Sequence, residues 1–162
     1  MDLSRHPEVW DESTIYADDL SVGDVYDLGS HTVTTEELTD FASRWDPQFF
    51  HVDADAARDG LFDGLIASGI HTMAVFQRLS VAGFWGRSAT VAARGIREVR
   101  FLSPMRPDTT VVGRLEITGV QHRDTHRSLV SVSGTLHEEE GGAAVLALSL
   151  DAYLARRPDD QP

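Results

Sequence analysis

The sequence predicts an α+β domain in which a long antiparallel β-sheet curls around one central buried helix. Three observations point there. The stretch Leu65 to Phe76, continuing to Val81, is apolar nearly all round, and a helix without a polar face must be buried on most sides. The second half of the chain carries alternating apolar and polar runs separated by short turns. With 162 residues and 41% hydrophobic content, the chain is long enough for one well-buried core and short for two.

Taken in order, residues 1–13 and 158–162 read as frayed ends, which leaves 14–157 as the domain, with a helical first half and a stranded second half. The first convincing helix runs from Thr35 to Trp45. Thr34-Thr35-Glu36-Glu37 has the form of a capping box, with Thr34 as N-cap and Glu37 three residues on. Leu38, Phe41, Ala42 and Trp45 then fall on one face. Pro47 disfavours the α conformation at Asp46, so the helix should end there. A short helix follows from Asp53, capped by Asp53 itself. The loop DGLFDG leads into the apolar helix, which Gly83 and Gly86 end.

The expected strands are Arg97 to Phe101, stopped by Pro104 and Pro107, then Val111 to Val120, Ser128 to His137 and Ala144 to Leu154. The run Glu138 to Glu140, with Gly141 and Gly142, is a solvated turn. Short turns between these runs imply antiparallel neighbours.

Composition excludes several functions. Cysteine is absent, which removes disulfides, thiolate metal sites and a cysteine nucleophile. No apolar run approaches the roughly 20 residues needed to span a bilayer, and the polar, acidic N-terminus does not read as a signal peptide. A soluble, cytoplasmic protein is expected. The formal net charge of −12 argues against nucleic acid, whose affinity comes largely from Lys and Arg on phosphate. All 14 cations are Arg, and those from Arg87 to Arg127 form a locally basic segment. Either that segment is a solvated surface, or it meets an anionic ligand such as a phosphate-bearing cofactor arm.

The chemistry-bearing stretch is Trp45-Asp46-Pro47-Gln48-Phe49-Phe50-His51. By local pattern, Asp46 is a turn residue before proline and His51 a half-buried histidine. The sharper reading is a carboxylate and an imidazole held face to face to move a proton. His122 and His126 stand four apart, a spacing that suits a metal on a helix, but they fall at a hairpin turn and no metal site is expected. Ser68 lacks a nucleophile-elbow pattern and reads as a helix N-cap. His71 is expected to pack or to face the tunnel.

Several stretches together resemble the MaoC-like dehydratase family, which includes the (R)-specific enoyl-CoA hydratases and has the hot-dog fold. Asp46 and His51 keep the five-residue spacing of the family's Asp-x-Asn-Pro-aliphatic-His motif. His51-Val52-Asp53, the pair Ala56-Ala57, Gly64-Leu65-Ile66-Ala67-Ser68-Gly69, Arg100-Phe101-Leu102-Ser103-Pro104 and Arg106-Pro107-Asp108-Thr109 follow in the family's order. The likeness covers roughly residues 14–157. Two positions depart: Gln48-Phe49 replaces Asn-Pro, with the proline moved next to Asp46, and Gln77 stands where some relatives carry a small hydroxyl residue near the catalytic Asp.

The resemblance implies reversible addition of water to a 2-enoyl thioester, giving a 3-hydroxyacyl thioester. Asp46 and His51 would share the acid–base work; which one takes the water proton is not legible. Gly69, at the start of the buried helix with its unpaired N–H groups, would hold the thioester oxygen, with Ser68 beside it. No cofactor is required. The substrate would be an acyl-CoA, or the thioester of an acyl carrier protein, with arginines between Arg87 and Arg127 on the CoA phosphates. A homodimer or higher homo-oligomer is expected by analogy of fold. The alternatives are a hot-dog acyl-CoA thioesterase and a non-catalytic acyl-thioester-binding subunit.

Overall fold

From a 3-10 turn at Ala17–Asp19 the chain enters β1 (Val25–Val33), then α1 (Thr35–Trp45), α2 (Phe49–Val52), α3 (Ala54–Arg58) and α4 (Gly69–Gly83). After a second 3-10 turn at Trp85–Arg87 it runs through β2 (Thr90–Phe101), β3 (Thr109–His122), β4 (Arg127–Glu138) and β5 (Ala144–Ala155). The structure is a computed structural model and describes residues 10–158. The strands form one antiparallel sheet in the order β1-β3-β4-β5-β2. α4 lies in its concavity, against β1, β3 and β4.

The core forms where α4 meets the sheet. Val75, Phe76 and Leu79 pack with Leu115, Ile117, Val130, Val132, Leu136, Leu146 and Leu148. Alternation in β3 and β4 follows from this contact, since only one face of each strand touches the helix. Gly134 lies opposite Phe76 because nothing larger fits: a Cβ there would stand 2.2 Å from the Phe76 ring.

The ends of α1 follow local chemistry. Thr34 Oγ1 accepts the Glu37 N–H at 3.1 Å, and the helix stops at Trp45, before Asp46-Pro47. Only half of the expected capping box forms. The Glu37 carboxylate turns away from the helix start and accepts from His31 Nε2 at 2.9 Å and His71 Nε2 at 3.1 Å, since two imidazole donors outbid one backbone N–H. Asp53 caps α3 as expected, accepting from the N–H groups of Asp55 and Ala56.

Three expectations need correction. The first half is not wholly helical, because β1 opens it and pairs with β3. β1 hides its period: Gly29, at φ 82, sits in a register shift that breaks the alternation. β2 begins at Thr90 rather than Arg97; it is an edge strand whose residues are mostly exposed, so no apolar period marks it. The central helix begins at Gly69, not Leu65, and is covered on one side only, leaving Ile70 and Val81 exposed. Of the expected frayed ends, residues 1–9 and 159–162 lie outside the described residues; Trp10 packs edge-on against Tyr16. No helix among the described residues is long and apolar enough to cross a membrane.

Candidate active site

Asp46 and His51 are brought together by the break between α1 and α2. Pro47 stops α1 and leaves Asp46 outside the helical region, at φ −156 and ψ 67. The chain then turns into α2, the Asp46 carbonyl accepting the Gln48 N–H at 2.8 Å, so that one short helical turn presents His51 inward. His51 is 4% exposed. Its Nε2 stands 3.5 Å from Asp46 Oδ2.

The other ring nitrogen settles the tautomer. His51 Nδ1 lies 2.7 Å from the Ile66 carbonyl oxygen. A carbonyl only accepts, so Nδ1 carries the proton and neutral His51 has its lone pair on Nε2.

Asp46 is held at both oxygens. Ser68 Oγ donates to Oδ2 at 2.7 Å and Gln48 Nε2 donates to Oδ1 at 2.9 Å. These two bonds, Ser68's first, and then the field of His51, hold the carboxyl below the ordinary value of 3.8. Ser68 is fully buried and is also the N-cap of α4, accepting the Ile70 N–H at 3.2 Å. The capping role expected for Ser68 is present, and a second bond to Asp46 accompanies it. A hydroxyl therefore does stand beside Asp46, supplied by the residue before the helix rather than at Gln77, which is exposed.

His51 and Gly69 line a cavity of about 320 Å³ together with Phe62, Ile66, Phe101 and Met105. Asp46 and Ser68 do not line it. Gly69 begins α4, and no acceptor for its N–H is found among the described residues. Where a side chain at 69 would go, the Phe101 ring already lies, 2.8 Å from an ideal Cβ. Glycine thus admits a neighbouring ring at this point.

A second polar cluster was not expected. His31 from β1, Glu37 from α1 and His71 from α4 meet on one carboxylate. His71 is buried and stacks on Phe41 with ring centroids 4.5 Å apart; it packs, and it lies outside the cavity beside His51. Positions 31, 37 and 71 have no sequence spacing that could have announced their meeting. At the far hairpin, His122 Nδ1 pairs with Ser128 Oγ at 2.8 Å.

Residues 20–140 match the family described as MaoC like domain. The chain belongs to this family. The 3-hydroxyacyl-thioester dehydratase Z of Mycobacterium tuberculosis is 33% identical over 128 residues, covering 76% of this chain and 84% of that protein. The crystal structure of a MaoC-like dehydratase from Rhodospirillum rubrum superposes with a TM-score of 0.76 at 31% identity, covering 89% of this chain and 99% of that one. A Mycobacterium tuberculosis protein described as a double hot-dog fold gives a TM-score of 0.76 at 21% identity, over 93% of this chain and 47% of that one. The fold of this MaoC-like chain is accordingly the hot-dog fold.

Proposed function

We propose that the protein catalyses reversible hydration of a 2-enoyl thioester to a 3-hydroxyacyl thioester, with Asp46 and His51 as the acid–base pair. The observation that carries this is the Nε2 lone pair of His51, directed by the Ile66 carbonyl, on the wall of an apolar cavity and 3.5 Å from a carboxylate. A water molecule touching His51 would meet an acyl chain lying against Phe62, Ile66 and Met105. The Gly69 N–H, at the positive end of α4, is the donor for the thioester oxygen. Acid–base chemistry of this kind needs neither metal nor redox cofactor.

The thioester is best read as acyl-CoA. In the basic segment Arg97, Arg100 and Arg127 are paired with Asp151, Glu98 and Asp124. Arg106 adjoins the cavity residue Met105, has no ion pair among the described residues, and would be first to meet a CoA phosphate. The exposed edge strand β2 and the uncovered apolar side of α4 favour assembly as a homodimer.

The test is hydration of crotonyl-CoA, followed as loss of the enoyl absorbance, in the wild type and in Asp46→Asn and His51→Ala. Turnover in the wild type and its loss in both variants is expected. Release of free CoA thiol without loss of the double bond would instead mark a thioesterase.

A further inference from the structure

Two residues past Gly69, α4 carries a histidine that the hydration chemistry leaves unused. The reacting groups stand at the ends of separate elements: Asp46 follows the last residue of α1, His51 lies in α2, and Gly69 opens α4. Helix ends lack intrahelical partners for their last groups and open most readily. Asp46 keeps its distance from His51 and Gly69 only if α1 is held in place along α4.

His71 holds it at two points. Its Nε2 donates to Glu37 Oε1 at 3.1 Å. Its ring stacks on Phe41, with centroids 4.5 Å apart and planes 10° from parallel. Glu37 and Phe41 lie four apart and share one face of α1, so one side chain of α4 engages both. The carboxylate is itself anchored to the sheet, because His31 Nε2 of β1 stands 3.0 Å from Oε1 and 2.9 Å from Oε2. The helix rises about 7.5 Å between Phe41 and Asp46, and over so short a span a shift at one is passed to the other.

Stability alone does not account for a histidine here. His71 is buried, and its Nδ1 has no hydrogen-bond partner among the described residues, which is unfavourable. A phenylalanine would stack on Phe41 and leave no such atom. It would lose the bond to Glu37, and with it direction: stacked rings slide past one another, whereas a hydrogen bond fixes a distance and an angle.

We infer that His71 is a positioning residue, with Glu37 as its anchor: together they set α1 against the first turn of α4 and so fix Asp46 relative to His51 and Gly69. This rests on the hydratase reading and extends it to groups beyond the reacting centre. None of His31, Glu37, Phe41 and His71 lines the cavity beside His51, so their effect on turnover passes through Asp46.

The test uses the whole protein and three substitutions. His71→Phe keeps the ring stack and removes the bond; kcat for crotonyl-CoA hydration is expected to fall about ten- to thirtyfold, with KM within about threefold. Glu37→Leu reproduces that loss from the other side. Glu37→Gln keeps an oxygen that His71 can reach and stays within about threefold of the wild type. If kcat of the folded protein is unchanged in both His71→Phe and Glu37→Leu, whatever their melting temperatures, the cluster only packs and the inference is overturned. A second readout needs no turnover. Bonds from Ser68 and Gln48 hold the Asp46 carboxyl below its ordinary value, so a displaced α1 end loosens them, and the carbon-detected NMR titration midpoint of Asp46 rises in His71→Phe. An unmoved midpoint places any loss elsewhere than at Asp46 and also overturns the inference. If the wild type hydrates no enoyl-CoA while the midpoint still rises, the proposed reaction fails and the positioning role stands.

Discussion

His51 shows how much one backbone carbonyl decides. Were Ile66 O not 2.7 Å from Nδ1, either ring nitrogen could carry the proton, and the Nε2–H tautomer would face the substrate with a donor. His51→Ala is expected to lower kcat about 10²–10⁴-fold while leaving the far-UV circular dichroism unchanged, which a crotonyl-CoA assay beside a thermal melt would check. Gly69 offers a second residue-scale test. In Gly69→Ala the new methyl displaces the Phe101 ring, and because Phe101 is 54% exposed the ring can swing away. Stability should then change by less than about 1 kcal/mol, whereas kcat/KM drops and Phe101→Leu in the same protein recovers part of it. At this scale the Asp46–His51 pair was legible through the family resemblance, since its spacing across a proline is by itself equally that of a turn residue and a half-buried histidine. The Ser68 and Gln48 bonds were not, because the first spans twenty-two positions and the second is made by a residue that reads as a departure from the motif.

Elements show the same division. α1 was legible to the residue at its C-terminal end, since Pro47 removes the conformation a further turn would need, and α3 was legible from its Asp53 cap. Asp53→Ala should cost about 1 kcal/mol in a urea melt and should loosen the short α2–α3 segment that carries His51. β1 and β2 were illegible for one physical reason: hydrophobic period reports burial on one face, and these edge strands have a register shift or little burial to report. The packing of α4 on β4 depends on a missing side chain. Gly134→Ala is expected to destabilise by about 1–3 kcal/mol, because the added Cβ meets the buried Phe76 ring with no room to yield. Phe76→Leu in the Gly134→Ala protein should return part of that loss, and no such recovery in a double-mutant cycle would place the strain elsewhere.

For the whole molecule the governing charge feature is the His31–Glu37–His71 cluster, which ties β1, α1 and α4 together. Burial opposes the Glu37 charge, but bonds from His31 and His71 outweigh it and keep its carboxyl below the ordinary 4.5. Burial pushes His71 below 6.5 despite the pull of Glu37. Both directions describe one state, a carboxylate accepting from a neutral imidazole, and among the described residues the His71 Nδ1 has no partner that could accept a hydrogen bond from a proton there. The signs follow. Each depressed group adds stability that is full above its ordinary pKa and is lost as pH falls through its folded value. The melting temperature should decline from about pH 7 toward about pH 5 through His71, then fall steeply below about pH 4.5 as Glu37, and with it Asp18, Asp19 and Asp151, take up protons. His71→Gln should flatten the first of these phases, as followed by circular dichroism. If β2 closes a dimer edge, Ile96→Pro should shift the mass seen by light scattering from dimer to monomer.

What the sequence determined by itself is local or periodic: where α1 stops, where α3 starts, that one helix is too apolar for solvent, that β3, β4 and β5 alternate, and that an acid and an imidazole flank a proline. Such features arise from forces acting over a few residues. Tertiary structure alone decided which nitrogen of His51 faces the cavity, which hydroxyl holds Asp46, where the edge strands lie, and that Glu37 serves two histidines instead of its own helix. Those outcomes depend on groups far apart in the chain competing for the same donors and the same space, and only the folded arrangement brings the competitors within reach of one another.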